Sequence, residues 1–149
     1  MNMRSIGIIP ARYGSSRLPG KPLAIINGKT MIQRVYEQAS QSTSLSAVVV
    51  ATDDERILKA VEEFGGQVLM TNSEHQSGTD RCLDALNQLE EDYEIVVNIQ
   101  GDEPYISPEQ IDLILSCFHS ENTEIATLVK LIEEENDLWN PNKPKVIMD

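Results

Sequence analysis

No aspartate or glutamate occurs in the first 36 residues, although the 149-residue chain holds 24 of them and has a formal net charge of -12. Other absences narrow the function before any motif is read. Two cysteines, Cys82 and Cys117, are too few and too far apart for a disulfide framework or a zinc site, and both are expected to be buried free thiols. No apolar run approaches the roughly 20 residues that span a bilayer, and MNMRSIGIIPAR lacks the apolar core and cleavage site of a signal peptide, so a cytoplasmic protein is expected. Extended basic surface is missing too, which argues against nucleic acid and anionic membrane as partners. A small anion is a different matter. Exposed carboxylates beyond about 8 Å are screened at physiological salt, so a tight cluster of cations can still hold one.

Such a cluster is present. Arg4, Arg12, Arg17, Lys21, Lys29 and Arg34 all fall within the carboxylate-free stretch. With 40% apolar and 24% charged residues, the chain suits one domain able to bury a core.

Strand and helix patterns alternate. Residues 5–9 read as a strand ended by Pro10, 30–41 as a helix, and 46–52 as a strand buried on both faces. Thr52 to Glu55 looks like a capping box opening a helix that buries Ile57, Leu58, Val61 and Phe64, and Gly65-Gly66 stops it. Residues 67–71 read as the third strand. Ser77 to Asp80 caps a helix expected to bury Cys82, Leu83, Leu86 and Leu89; residues 94–100 are the fourth strand; and Ser107-Pro108-Glu109-Gln110 opens another helix. Residues 124–132 are expected as a fifth strand, 133–137 as an acidic turn or short helix, and 145–149 as a sixth strand. This alternation predicts an α/β fold, a mostly parallel sheet with helices on both faces, whose ligands bind at the carboxyl ends of the strands.

Three segments carry chemistry. In IPARYGSSRLPGKPL the glycines allow close backbone approach, Ser15 and Ser16 offer donors, and Arg12, Arg17 and Lys21 supply charge for phosphate oxygens. It is not a P-loop: five residues separate Gly14 from Gly20, and Pro22 follows Lys21. In NIQGDEP a strand delivers Asp102 and Glu103 just past Gly101, and Asp102 is the candidate magnesium ligand, since Mg2+ in nucleotide sites commonly takes one or two carboxylates and leaves the rest to phosphate. In HQSGTDR a helix start gathers Ser77, Gly78 and Arg81; an arginine in a first turn opposes the helix dipole, which calls for a ligand or a carboxylate partner. His75 and His119 are unconvincing as ligands or bases by themselves, and Asp53 or Asp54 could lie near the site, though helix capping explains them more simply.

Together these segments, with NGKTMIQRV, ATDDE and NPNKPKVIMD, resemble the 3-deoxy-manno-octulosonate cytidylyltransferases, the CMP-Kdo synthetases, over the whole chain. The resemblance implies a Rossmann-like nucleotidyltransferase fold that transfers CMP from CTP to Kdo, releases pyrophosphate and serves lipopolysaccharide synthesis. It implies that Ala11, Arg12, Ser15, Ser16, Arg17, Lys21, Ser77, Gly78, Arg81 and Gln100 bind CTP, that Asp102 binds Mg2+, and that Asp102, Arg12 and Lys21 carry catalysis. It further implies a homodimer at full length and a family that continues past Asp149, where the Kdo pocket and a second metal-binding aspartate lie. The chain by itself is therefore expected to hold CTP without turning it over. Another pyrimidine nucleotidyltransferase and a non-catalytic nucleotide-binding module remain the alternatives.

Overall fold

The computed structural model describes residues 3–14 and 18–147. Its centre is a four-stranded parallel sheet of β1 (Ser5–Ala11), β4 (Ala47–Thr52), β5 (Val68–Met70) and β6 (Ile95–Asn98), in the order β5-β4-β1-β6. Counted within this sheet the order is 3-2-1-4, so the chain reverses direction across the sheet between β1 and β6. In doubly wound folds that reversal opens a crevice at the strands' carboxyl ends.

Alternation along the strands divides the core. Ile9, Ala11, Val48 and Val50 face α1 (Met31–Ala39), α2 (Glu55–Glu63) and α4 (Pro108–Ser116), which contribute Ile32, Val35, Ile57, Val61, Ile111 and Leu115. Ile6, Ile8, Val49 and Ala51 face α3 (Gly78–Asn87), which contributes Cys82 and Ala85. The sheet is thus parallel and covered on both faces, as the alternating pattern predicts. Burial pushes the Cys82 thiol up to about 11, so it is protonated and packs as a small apolar group.

β1 runs through Pro10 to Ala11 rather than stopping at Ile9. Ile8 O accepts the Ile99 N–H at 2.9 Å, and Pro10 lies two residues on, on the same flank, level with the chain beyond Asn98. Its missing N–H therefore costs no ladder bond. Between β1 and α1 a two-residue hairpin, β2 (Ile25–Ile26) and β3 (Lys29–Thr30), turns through Asn27 (φ 46°) and Gly28 (φ 80°). Positive φ at both positions is the type I′ geometry that Asn-Gly favours.

Several expectations need correction. Asp54, not Thr52, caps α2: its carboxylate accepts from Arg56 N, while Thr52 is the last residue of β4. Leu83 is exposed because it points off the sheet-facing side of α3, and Cys117 is exposed in the 3-10 turn after α4. Residues 124–132 form no strand; they run irregularly, with Ile125 and Leu131 largely exposed. Residues 145–147 are also irregular, and 148–149 lie outside the described residues. The acidic stretch does make a short helix, α5 (Glu135–Trp139).

Candidate functional site

A cavity of about 410 Å³ opens where β1 and β6 end, at the reversal point of the sheet. Four segments wall it: the end of β1 with Ala11 and Arg12, the 3-10 turn Lys21–Leu23, the start of α3, and the loop after β6. Ala11, Arg12, Lys21, Ser77, Gly78, Arg81, Gln100 and Asp102 all line it. Ser15, Ser16 and Arg17 lie outside the described residues.

The floor is close-packed around Pro10. A Cβ added at Gly101 would sit 3.0 Å from the Pro10 carbonyl oxygen, and one at Gly78 would sit 3.2 Å from Pro10 Cγ. Glycine at these positions lets α3 and the β6 loop reach the end of β1. After Gly101 the backbone turns, with Glu103 N donating to Gln100 O at 3.3 Å, and this holds Asp102 at the rim. Gly20, at φ 72°, closes the other rim by donating its N–H to Tyr13 O at 2.8 Å, and the Arg56 guanidinium lies 3.3 Å from the centroid of the Tyr13 ring.

The cations of the N-terminal stretch separate by task. Arg34 holds the hairpin through Ile26 O and Asn27 O at 2.6 and 2.8 Å, Lys29 pairs with Glu37 at 2.6 Å, and Arg4 pairs with Glu91. These three are structural. Arg12 is exposed at the cavity with no ion-pair partner among the described residues, and Lys21 Nζ lies 2.7 Å from Asp102 Oδ2. The charge asymmetry of the sequence thus overstates the basic lining: among the described cations of that stretch, Arg12 and Lys21 line the cavity.

At the start of α3, Ser77 Oγ accepts from Asp80 N at 3.1 Å, which caps the helix. Arg81 has the carboxylate partner that its position calls for: Nη2 donates to Asp53 Oδ2 at 2.8 Å, and Nη1 donates to Thr71 Oγ1 at 2.6 Å. His75 also lines the cavity, with Nε2 2.7 Å from Asp84 Oδ2. Asp84 also accepts from Asn72 N, His75 and Gln88, and these bonds hold its carboxyl at about 2. The HQSGTDR segment placed His75 beside the site, but nothing in the spacing pointed to Asp84.

Asp102 fits a magnesium site shared with phosphate. Its carboxylate is half exposed at the cavity rim, a hard oxygen donor, and among the described residues no group of three His, Cys, Asp or Glu side chains could cage a metal alone.

Residues 6–149 match the family model described as cytidylyltransferase. The chain is 58% identical, over 99% of its length, to the 3-deoxy-manno-octulosonate cytidylyltransferase of Parabacteroides distasonis, and covers 59% of that protein. It is 53% identical over 95% of its length to the 8-amino-3,8-dideoxy-manno-octulosonate cytidylyltransferase of a Shewanella species, again covering 59%. Among solved structures it is similar to a CMP:2-keto-3-deoxy-manno-octonic acid synthetase complexed with CTP, with TM-score 0.75 and 49% identity over 78% of this chain and 47% of that one. The chain thus spans about three fifths of the length of these curated relatives. On its sequence and its fold alike, it belongs to the cytidylyltransferase family.

Proposed function

We propose that this chain supplies the CTP-binding part of a 3-deoxy-manno-octulosonate cytidylyltransferase, which transfers CMP from CTP to Kdo. One observation carries the reading: Arg12 follows β1, Lys21 opens the 3-10 turn and Asp102 follows β6, yet they meet at one cavity beside the start of α3. In the reaction a Kdo hydroxyl oxygen forms a bond to the α-phosphorus, the bond from that phosphorus to the bridging oxygen breaks, and pyrophosphate leaves with the electron pair. The hydroxyl proton is lost to solvent or a base.

Arg12 and Lys21 bind the triphosphate oxygens and offset the charge that grows on the leaving pyrophosphate. The first turn of α3 adds a positive dipole end, and Ser77, Gln100 and Arg81 place the nucleoside. Asp102 would hold Mg2+ together with phosphate oxygens, where the ion supplies Lewis-acid polarisation and charge neutralisation. Much of the remaining rate enhancement is alignment of hydroxyl and phosphorus.

A second acceptor has specific support. The relatives acting on the 8-amino sugar match this chain at 53% identity, close to the 58% of the first relative, so the acceptor is set by little within this stretch. Calorimetric titration of the chain with CTP, UTP and ATP in magnesium tests the nucleotide half, with CTP-selective binding expected; equal or absent binding overturns the reading. Pyrophosphate release by the full-length protein with Kdo and with its 8-amino analogue then decides the acceptor.

A further inference from the structure

Arg81 lines the cavity although it is only 3% exposed, and both of its side-chain partners stand behind the cavity wall. Asp53 follows β4 directly and Thr71 follows β5, and neither of them lines the cavity. Two strand ends therefore meet the first turn of α3 through a single guanidinium. The acceptors are themselves fixed: Thr71 N donates to Thr52 O at 2.8 Å, and Thr52 is fully buried.

A guanidinium is planar, with five N–H donors in a rigid fork. Bonds from Nη1 to Thr71 and from Nη2 to Asp53 set its plane, spend two donors and leave others for a molecule entering the cavity. Asp53 also supplies the counter-charge without which a cation this deeply buried is strongly disfavoured.

We propose that Asp53 and Thr71 are positioning residues for nucleotide selection: they hold Arg81 so that its unspent donors meet the acceptor edge of the pyrimidine. The proposal rests on the nucleotide reading given above. Cytosine presents O2 and N3 as acceptors, whereas uracil carries a hydrogen on N3. A correctly oriented guanidinium therefore favours CTP over UTP, and a loosened one loses that preference before it loses attraction for phosphate. A tie that only joined strand ends to α3 would affect stability and leave nucleotide choice alone.

The test is calorimetric titration of CTP and UTP, with magnesium, into the wild-type chain and into Asp53→Asn, Thr71→Val and Arg81→Lys, beside urea denaturation of each. Asp53→Asn should weaken CTP binding about tenfold and lower the CTP-to-UTP preference by a similar factor, a size typical of coupled neighbours. Thr71→Val, which adds no charge and conserves shape, should move both in the same direction by less, and it carries the test should Asp53→Asn fail to fold. Adding Asp53→Asn to Arg81→Lys should cost CTP affinity little further. A wild-type chain without CTP preference overturns the nucleotide reading and this inference with it. A wild-type preference left intact in folded Asp53→Asn or Thr71→Val, with only the urea midpoint lowered, overturns the inference alone.

Discussion

Lys21 Nζ and Asp102 Oδ2 lie 2.7 Å apart, although 81 residues separate them in the chain and each follows a different strand. Both side chains are partly exposed, at 36% and 51%, so the pair adds little to stability. Its significance is positional. In the proposed reading the two opposite charges that a magnesium nucleotide needs are already side by side, and each would exchange its partner for a phosphate oxygen or a metal ion.

Lys21→Met should accordingly weaken CTP binding while leaving the urea midpoint nearly unchanged. Asp102→Asn should abolish the magnesium dependence of CTP binding and, in the full-length protein, lower turnover about a hundredfold or more, as expected for loss of a main electrostatic stabiliser. Titrations with and without a chelator measure the first effect, and pyrophosphate release measures the second. Asp102→Asn protein that still responds to magnesium as wild type would remove Asp102 from the metal site.

Arg12→Ala should separate phosphate from base. Arg12, itself exposed, follows the buried end of β1 at the cavity and has no ion-pair partner among the described residues, so its loss removes charge without disturbing the fold. A charge-assisted hydrogen bond of about 1.5–3 kcal/mol corresponds to roughly a tenfold to hundredfold loss of CTP affinity. Cytidine, measured in the same calorimeter, should bind as before; a parallel loss for cytidine points to a damaged site.

Acid stability should depend on Asp112. Its carboxylate accepts from Ser42 Oγ at 2.5 Å, Thr43 Oγ1 at 2.9 Å and Ser44 N at 3.1 Å, which ties α4 to the loop after α1. These bonds, Ser42's first, hold it at about 2 instead of 3.8. A lowered folded-state pKa means that the stabilisation is complete above 3.8 and is lost as the pH falls through about 2. Urea midpoints of wild type and Asp112→Asn should therefore differ most at neutral pH and converge between pH 4 and 2. A gap that stays constant over that range contradicts the assignment.

Gly101→Ala should destabilise by about 1–3 kcal/mol, the usual cost of overpacking, because the new methyl would meet the backbone oxygen of Pro10 at 3.0 Å. Backbone cannot rotate aside as a side chain can. Thermal unfolding measures the loss, and CTP affinity should fall with it as the β6 loop is pushed off β1. Unchanged stability and affinity would show that the two strand ends have slack between them.

Much of this was legible because period and position agree. Seven elements from β1 to β6 announce themselves by apolar alternation or helical spacing, and the site segments fall at strand ends, where such sheets bind ligands. Asn27-Gly28 also signalled its hairpin, overlooked beside the basic residues around it. Other features had no local signal. EIATLVKLI has the composition of a strand, yet β-propensity is realised only against a pairing neighbour, and among the described residues this segment has none. His75 and Asp84 meet because a loop folds back on α3, which spacing does not encode; the position of Arg81 called for a partner, but its spacing did not single out Asp53 and Thr71.

Pro10, wedged between Gly78 and Gly101, sets a boundary for anyone wishing to reshape the cavity. Its floor offers no adjustable volume, since even a methyl group on either glycine presses on Pro10. Libraries aimed there will return mostly damaged folds. The more adjustable wall is the rim, where Gln100 lines the cavity from the loop after β6, outside the sheet.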